Sequence, residues 1–347
     1  MSISHLSSFW LATIFVLCSA IIWVAGSKIS ISIDAISKHF NIEEALGGIL
    51  FLAIVTNLPE IAITCVAAYN GHLEIAASNI LGGIAIQTVV LVFIDAFGVG
   101  RSAPLTYKAS SIELIIEGII LIVILNLVLM GHYMSTTIIF FRITPFELMI
   151  FATWIFGIYL LSKKNLPKLV HASANNSEEK EESTKNDASK NKAITATIIL
   201  FSICAVFTLL AGWMLEVSGE ALADRLGMSG AIFGATILAA STALPELSTG
   251  IASAKLKDYR MAMSDIIGGN AFLPVLFLLA SLISGKAILP NLLSSDMYLT
   301  GLGILLTAIY LIGLIIRMNR QYFRMGIDSI IVVIVYCVGI VGLFYLE

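Results

Sequence analysis

Long hydrophobic runs, separated by short polar stretches, cover most of this 347-residue chain. A helix of about 20 apolar residues crosses a hydrocarbon core of about 30 Å, and ten runs are long enough to do so. They are residues 9–26, 46–70, 75–97, 112–130, 146–162, 193–215, 228–254, 261–284, 297–316 and 327–346. The pattern predicts an all-α membrane protein with ten transmembrane helices.

One polar segment interrupts this pattern between the fifth and sixth runs. Residues 163–192 read "KKNLPKLVHASANNSEEKEESTKNDASKNK" and offer almost nothing to bury, which is typical of a solvated linker. They separate a first half, residues 1–162, from a second half, residues 193–347, with five predicted helices each. A regulatory or ion-sensing role for the linker is the alternative interpretation.

The composition and the placement of charge fit this organisation. Hydrophobic residues make up 58% of the chain and charged residues 12%, with a net charge of −3. We expect the lipid bilayer and inorganic cations as partners, and no nucleic acid; the sequence leaves the oligomeric state open. All but Arg142, Arg225 and Lys286 of the 20 Lys and Arg residues fall in loops on one predicted face. The positive-inside rule therefore predicts a cytoplasmic linker and two external termini.

Two further features carry less information. The first apolar run could be a secretory signal, but residues 1–8 contain no Lys or Arg, which favours a first membrane helix. The four cysteines all lie inside predicted spans without a CxxC spacing, so we expect neither a disulfide nor a metal site from them.

A proline and a glutamate stand together inside two of the apolar runs. "TNLPEIAIT" begins at Thr56, and "TALPELSTG" begins at Thr242, 186 residues later. In the same register, residues 48–90 and 234–276 are identical at 15 of 43 positions. Five crossings separate the copies, so they should enter the membrane from opposite faces. The pattern predicts an inverted repeat, which places substrate near the membrane midplane at broken helices.

The chemistry of the two Pro-Glu pairs points to a cation. Proline provides no N–H for the carbonyl four residues before it, here Val55 and Ser241. An intramembrane carboxylate costs about 2.5–3.5 kcal/mol on insertion scales and needs a partner or a wet cavity. Glu60 and Glu246, beside freed carbonyls and threonine hydroxyls, would form an oxygen-rich site of the kind hard cations prefer. A single proline would indicate only a kink, and a single glutamate could be a protonated structural residue.

Other polar and small residues in the spans leave their roles open. Glycine pairs recur at residues 82–83 and 268–269, and could serve close helix packing or backbone approach to an ion. Glu113 and Glu117 are predicted to face a cavity rim or the linker. Asp95 and Glu147 lie near span ends, where we expect water within reach.

These motifs resemble those of the cation/calcium exchanger superfamily. That family carries a G-x-x-x-x-A-x-x-T-S-x-P-E motif followed by a G-S-N-x-x-N/D motif in each of two inverted repeats. Here the first motif reads "GILFLAIVTNLPE" and "GATILAASTALPE", and the second reads "GGIAIQ" and "GGNAFL". The resemblance covers both repeat pairs, the helix count, the linker and the outward termini.

The resemblance implies a set of ion ligands. It assigns carboxylate ligands to Glu60 and Glu246, hydroxyl or carbonyl ligands to Thr56 and Thr242, and backbone carbonyls to Ala53 and Ala239. Asn57 and Gln87 join the candidate set, and the helix breaks lie at Pro59 and Pro245.

This chain also departs from the family pattern. Asn57 and Ala243 replace the serine after the threonine, and Gly83 and Gly269 replace the serine of the second motif. At the end of that motif stand Gln87, which offers a carbonyl oxygen, and Leu273, which cannot coordinate an ion. Weaker candidates for the site are Asp265, as a third acid or a helix-end residue, Gly83, Gly269 and Asn270, the last of these mainly as a hydrogen-bonding residue between helices.

The sequence therefore predicts a secondary antiporter that exchanges Ca²⁺ for H⁺ or Na⁺ by alternating access, with no resident cofactor. Leu273 favours protons over several Na⁺ ions as the counter-ion. The alternatives are an antiporter of another cation and a membrane-embedded metal-dependent enzyme, for which no Ser/His pair, HExxH or DDxxD motif is present.

Overall fold

The computed structural model describes residues 6–40, 53–134, 143–162 and 187–346. Helices dominate these residues. They are α1 Ser8–Phe40, α2 Leu58–Asn70, α3 Leu73–Gly98, α4 Leu105–Ala109, α5 Ile112–His132, α6 Pro145–Ser162, α7 Asp187–Leu226, α8 Gly230–Thr242, α9 Leu244–Lys255, α10 Tyr259–Ser284, α11 Ser294–Ile316 and α12 Ile327–Phe344. A two-stranded antiparallel hairpin, β1 Gln321–Tyr322 and β2 Met325–Gly326, precedes α12.

Two of these helices are irregular along their length. In α8, residues Gly234–Leu238 form a π-helical turn, and in α10, residues Leu273–Val275 form a 3₁₀ turn that contains Pro274. Such turns leave the regular hydrogen-bond ladder and are frequent at functional sites. Both lie on elements that carry the repeated motifs.

The described residues contain eight helices that are long and apolar enough to cross a membrane. The pair α8 and α9, bent by 42° at Ala243, makes a ninth span if it is counted as one. The predicted run 46–70 includes residues 46–52, which lie outside the described residues, followed by a helical turn at 53–56 and α2. The chain therefore has an all-α membrane fold, and the count of ten remains a prediction.

The spacing of the sequence repeat recurs in the helix bounds. A shift of 186 residues carries Leu73–Gly98 onto Tyr259–Ser284, and Ser8–Phe40 onto the candidate span Ile194–Leu226. Leu58–Asn70 is carried in the same way onto Leu244–Lys255, to within one residue. Similar hydrophobic patterns and the same Pro-Glu break thus produce the same order of elements. The opposite orientation of the two copies remains a prediction.

The first helix is longer than its apolar run suggests. We expected a loop after residue 26 with Lys28 in it, but α1 continues to Phe40. Ile29, Ile33 and Ile36 are buried, and this i, i+4, i+7 spacing gives the extension an apolar face. The second half behaves alike, because α7 begins at Asp187, within the predicted linker. Residues 163–186 of the linker lie outside the described residues.

The core lies between α3, α5, α10 and α11, with α1 and α7 packed against each other to one side. A second cluster joins α1 to α7 and α8, where the Phe15 and Phe233 rings meet edge to face at 5.6 Å. The outer faces of α1 and α7 carry exposed apolar side chains such as Trp10, Val16 and Phe207. This arrangement suits contact with lipid on the outside and a packed interior behind it.

Two acids near helix ends are buried, contrary to the expectation that water reaches them. Asp95 is 1% exposed and accepts hydrogen bonds from the backbone N–H groups of Leu105 and Gly326, both at 2.7 Å, and from the Ser329 hydroxyl at 2.8 Å. Glu147 accepts from the Ser281 hydroxyl at 2.5 Å. Buried carboxylates are stable when such donors satisfy them. The hydrogen bonds of these two acids therefore connect separate segments of the chain.

Candidate ion-binding site

The Pro-Glu pairs stand at the first turn of two helices. α2 begins at Leu58 and α9 at Leu244, with the proline within the first two helical positions of each. Proline is tolerated there because those N–H groups have no intrahelical acceptor. The residues before, Asn57 and Ala243, have φ, ψ of −97°, 23° and −81°, −1°. Each Pro-Glu pair therefore begins a new helix inside an apolar run.

Glu60 and Glu246 lie deep inside the bundle. Their exposed fractions are 0% and 7%, and they lie close enough that two negative charges there would repel each other. Each carboxylate lies near its own backbone N–H in the first turn of its helix. The positive end of each helix dipole favours negative charge at that position, but its partial charge of about +0.5 cannot neutralise a buried carboxylate.

The two glutamates are only partly satisfied by protein groups. The Gln87 amide donates to Glu60 Oε1 at 3.3 Å, and the Thr242 hydroxyl, from the other half of the chain, also interacts with Glu60. The Oε2 atoms of Glu60 and Glu246 have no hydrogen-bond partner among the described residues. Buried carboxylate oxygens without donors are costly unless a cation, a proton or water satisfies them.

Predicted backbone ligands lie at the same break, where side chains of their own helices engage them. The carbonyl of Ala53 accepts from the Asn57 amide at 2.8 Å and from the Thr56 hydroxyl at 3.5 Å. In the second half, the Ala239 carbonyl accepts from the Thr242 hydroxyl at 3.1 Å. The local role of the Asn57 amide group is thus to cap the end of the preceding helical turn.

The first glycine of each pair meets different surroundings. A methyl group at Gly82 would lie 2.3 Å from Cα of Ala235, in the π turn of α8. At Gly268 the same methyl would meet nothing within 4 Å. Gly82 therefore serves close packing between α3 and α8, whereas Gly268 lines open space.

The second glycine of each pair faces a candidate ligand position. A methyl group at Gly269 would lie 3.6 Å from the Asn57 amide group, and one at Gly83 would lie 3.4 Å from Cδ1 of Leu273. Leu273 is fully buried and begins the 3₁₀ turn of α10. An apolar side chain therefore stands beside Gly83.

Asp265 and Asn270 occupy neighbouring turns of α10 but make different contacts. The negative charge of Asp265 repels Glu246, and the Thr249 hydroxyl donates to its Oδ2 at 3.4 Å. The Asn270 amide donates across to α3, to the Thr88 hydroxyl at 3.3 Å and to the Ile84 carbonyl at 3.4 Å. Asp265 thus adds a third acid near Glu246, and Asn270 joins two helices.

A cavity of about 640 Å³ reaches this region. Its lining includes Ser27 of α1, Thr56, Glu117, Asp265 and Gly269. Thr56 and Gly269 belong to the repeated motifs, so the cavity extends to the region of the helix breaks.

The cavity approaches from one face of the bundle. It extends to Leu161 at the end of α6 and to Leu256 just after α9, which belong to the face predicted to be cytoplasmic. Glu117 accepts from the Ser264 hydroxyl at 2.8 Å, and Glu113 pairs with Arg260 at 3.1 Å. The expectation that Glu117 faces a cavity agrees with its place in the lining.

Two polar groups of this region, the hydroxyls of Thr249 and Ser264, were not among the predicted site residues. Thr249 lies three residues after Glu246, and Ser264 immediately precedes Asp265. The i, i+3 spacing of Glu246 and Thr249 on one helix face is the signal that could have indicated Thr249. The contact between Thr242 and Glu60 joins distant parts of the chain, and local spacing carries no sign of it.

Comparison with known proteins places the chain in a family. The sequence profile of the family described as "Sodium/calcium exchanger protein" matches residues 10–163 and 195–345. The chain is 26% identical over 263 residues to the putative antiporter CaxA of Alkalimonas amylolytica, covering 75% of this chain and 77% of that one. A 91-residue segment, 25% of this chain and 8% of the relative, is 40% identical to human sodium/potassium/calcium exchanger 1.

Solved structures share the fold. The crystal structure of the H⁺/Ca²⁺ exchanger CAX matches with a TM-score of 0.66 at 15% identity, over 97% of this chain and 87% of that one. The sodium-calcium exchanger NCX_Mj matches with a TM-score of 0.57 at 16% identity, over 97% and 99% of the two chains. These matches show the fold, and the family profile together with the antiporter relative supports a transporter. The chain is an integral multi-pass membrane protein and belongs to the sodium/calcium exchanger family of cation antiporters.

Proposed function

We propose that this antiporter exchanges Ca²⁺ for protons, by alternating access at a site centred on Glu60 and Glu246. The observation that carries the proposal is the pair of buried, neighbouring carboxyl groups, each with one oxygen that has no hydrogen-bond partner among the described residues. Two carboxylates balance one divalent ion.

The groups around the glutamates suit a hard cation. Ca²⁺ takes six to eight oxygen ligands from carboxylates, carbonyls and hydroxyls. Thr242 already contacts Glu60, and the cavity that ends at Thr56 gives an ion a route to the site. The Gln87 amide N–H now donates to Glu60. Rotation of this side chain would turn its carbonyl oxygen toward the site, where it could bind the ion.

Protons serve as the counter-ion without any additional site. When Ca²⁺ leaves, Glu60 and Glu246 can each take up a proton and become neutral, which removes their repulsion. Several Na⁺ ions would require further oxygen ligands at the positions of Gln87 and Leu273. Leu273 provides none, and its buried side chain occupies the place beside Gly83.

The cavity supports alternating access in the following way. It reaches the helix breaks from the predicted cytoplasmic face and is lined in part by α1. An inverted second half would place α7 in the corresponding position on the opposite face. Movement of α1 and α7 relative to α3 and α10 would then open the two faces in turn.

Flux measurements in proteoliposomes test the proposal. We expect uptake of radioactive Ca²⁺ to be driven better by a pH gradient than by a Na⁺ gradient. Glu60→Gln and Glu246→Gln should each abolish uptake, because each removes half of the balancing charge. Glu113→Gln is a matched control, since Glu113 is partly exposed and pairs with Arg260 at the surface.

Three outcomes would contradict the proposal. Near-normal flux in either glutamate variant would exclude this site. Strong dependence on several Na⁺ ions would exclude proton coupling. Transport of another cation without Ca²⁺ uptake would show that the protein is an antiporter of a different substrate.

A further inference from the structure

A second cluster of potential metal ligands lies away from the two glutamates. His72, in the turn between α2 and α3, contacts two acids of α7: Nδ1 lies 2.8 Å from Glu216 Oε1, and Nε2 lies 2.5 Å from Glu220 Oε1. One ligand atom from each residue can be chosen so that all three lie within 4.8 Å of one another. Glu216 and Glu220 are four residues apart and therefore share one helix face.

The three side chains of this cluster differ in burial, and their charges do not cancel. The Glu216 side chain is 0% exposed, whereas those of His72 and Glu220 are 27% and 35% exposed. With a positively charged His72, the three side chains together would still carry a net charge of about −1. Asp224 adds further negative charge near Glu220. A divalent metal with neutral His72 would bring the three ligands to zero, which removes the cost of an uncompensated buried charge.

The surroundings also hold the ligands in place. The Asn70 amide donates to the other oxygen of Glu216 at 3.3 Å, in the way that outer hydrogen bonds orient metal-binding carboxylates. A mixture of imidazole and carboxylate ligands suits Zn²⁺ and similar transition metals better than Ca²⁺, which takes oxygen ligands. In tetrahedral Zn²⁺ sites the bonds are about 2.0–2.2 Å. Because the two glutamates contact different nitrogens of the ring, the side chains must turn so that one nitrogen and one oxygen of each carboxylate meet at the ion.

The position of the cluster in the repeat gives it a second significance. Ser30 and Leu256 both line the cavity. In the 186-residue repeat, Ser30 is equivalent to Glu216, and Leu256 is equivalent to Asn70. If the halves are inverted, as the proposed function assumes, the cluster occupies the counterpart of the cavity on the opposite face. There it fastens α7 to the α2–α3 turn.

We propose that His72, Glu216 and Glu220 form a binding site for a divalent transition metal such as Zn²⁺, and that the bound metal clamps α7 to the α2–α3 turn. Neutral His72 binds the ion through the lone pair of one ring nitrogen, together with one oxygen from each glutamate, and any proton held by that nitrogen is released to water. Water completes the coordination. Within the proposed exchange cycle, this clamp holds the face opposite the cavity closed and slows transport.

The test is Zn²⁺ titration of the purified full-length protein in detergent by calorimetry. We expect one site in the unmodified protein, with affinity at least about tenfold weaker in His72→Ala and Glu220→Gln. Glu220 is partly exposed, so its variant should fold if His72→Ala does not. His132→Ala is the matched control, because it removes a histidine from the end of α5, on the same predicted face.

A background variant with both Glu60→Gln and Glu246→Gln separates this site from the transport site, and should bind Zn²⁺ as the unmodified protein does. Unchanged binding in His72→Ala, or no Zn²⁺ binding by the unmodified protein, would overturn the proposal and leave the triad as a hydrogen-bonded contact. Ca²⁺ flux with added Zn²⁺ then tests the clamp: we expect inhibition that His72→Ala relieves. Zn²⁺ binding without any Ca²⁺ transport would refute the proposed function but not the metal site.

Discussion

Gly82 and Gly268 occupy equivalent positions 186 residues apart, yet the structure gives them opposite sensitivity to an added methyl group. In Gly82→Ala the new carbon would lie 2.3 Å from Cα, 2.6 Å from Cβ and 2.7 Å from the carbonyl oxygen of Ala235. In Gly268→Ala it would meet nothing within 4 Å. The same substitution at two related sites therefore tests the packing of α3 against α8 directly.

The expected free energies follow from two opposing terms. Replacing a helical glycine with alanine stabilises a helix by about 0.8–1 kcal/mol. At Gly82 the contact must widen by about 1 Å to reach a normal carbon separation of about 3.5 Å. Such overpacking costs about 1–3 kcal/mol, and the upper end applies because the neighbour is backbone that cannot rotate away. We expect Gly82→Ala to be destabilised by about 2 kcal/mol, and Gly268→Ala to be unchanged or stabilised by up to about 1 kcal/mol.

Thermal unfolding in detergent, followed with a thiol-reactive fluorophore, measures both variants. Cys18 and Cys204 are buried and report unfolding, whereas the exposed Cys337 reacts before the transition. With the unfolding entropy per residue of globular proteins, a loss of about 2 kcal/mol lowers the melting temperature of a chain of 347 residues by about 3 °C. If Gly82→Ala melted at or above Gly268→Ala, the close approach of α3 to the π turn would be wrong.

Four other substitutions have definite expected results. Pro59→Ala and Pro245→Ala should slow Ca²⁺ flux but preserve Ca²⁺ binding measured by calorimetry, because the carboxylates remain; unchanged turnover in both would reduce the prolines to kinks. Leu273→Asp should increase the Na⁺ dependence of flux by adding an oxygen ligand, at a stability cost of about 2.5–3.5 kcal/mol for an intramembrane acid; unaltered Na⁺ dependence would show that this position does not select the counter-ion. Asp95→Asn should lower the free energy of unfolding by about 2–4 kcal/mol, since hydrogen bonds to a charged acceptor contribute about 1.5–3 kcal/mol each; an unchanged melting temperature would show that the contacts to Leu105, Gly326 and Ser329 are not stabilising.

Some of the chemistry could be predicted because it is local. The Leu-Pro-Glu sequence fixes a helix start whatever surrounds it, since proline is tolerated in a first turn and not in a helix interior. The 186-residue repeat in sequence therefore predicts two similar helix starts, and α2 and α9 begin at Leu58 and Leu244. The inability of the Leu273 side chain to coordinate an ion is likewise a property of the residue itself.

Other features depend on partners far away in the chain, which no local pattern specifies. His72 meets Glu216 across 144 residues and Asp95 meets Gly326 across 231, so neither contact has a periodic signal. The prediction of water near Asp95 was wrong for this reason, because two of its three donors, Gly326 and Ser329, lie far along the chain and only the tertiary fold brings them to it.

The hydrophobic pattern by itself determined that the chain is an α-helical membrane protein, and the paired Pro-Glu motifs determined where two helices begin and predicted which acids carry the proposed cation chemistry. These follow from the length of apolar runs, the missing proline N–H and the cost of a charge in lipid, all of which are properties of short segments. Only the tertiary structure decided that Thr242 reaches Glu60, that the cavity approaches from one face, and that Gly82 is packed where Gly268 is open. Packing is a relation between segments, so two related stretches acquire different roles when different neighbours lie against them.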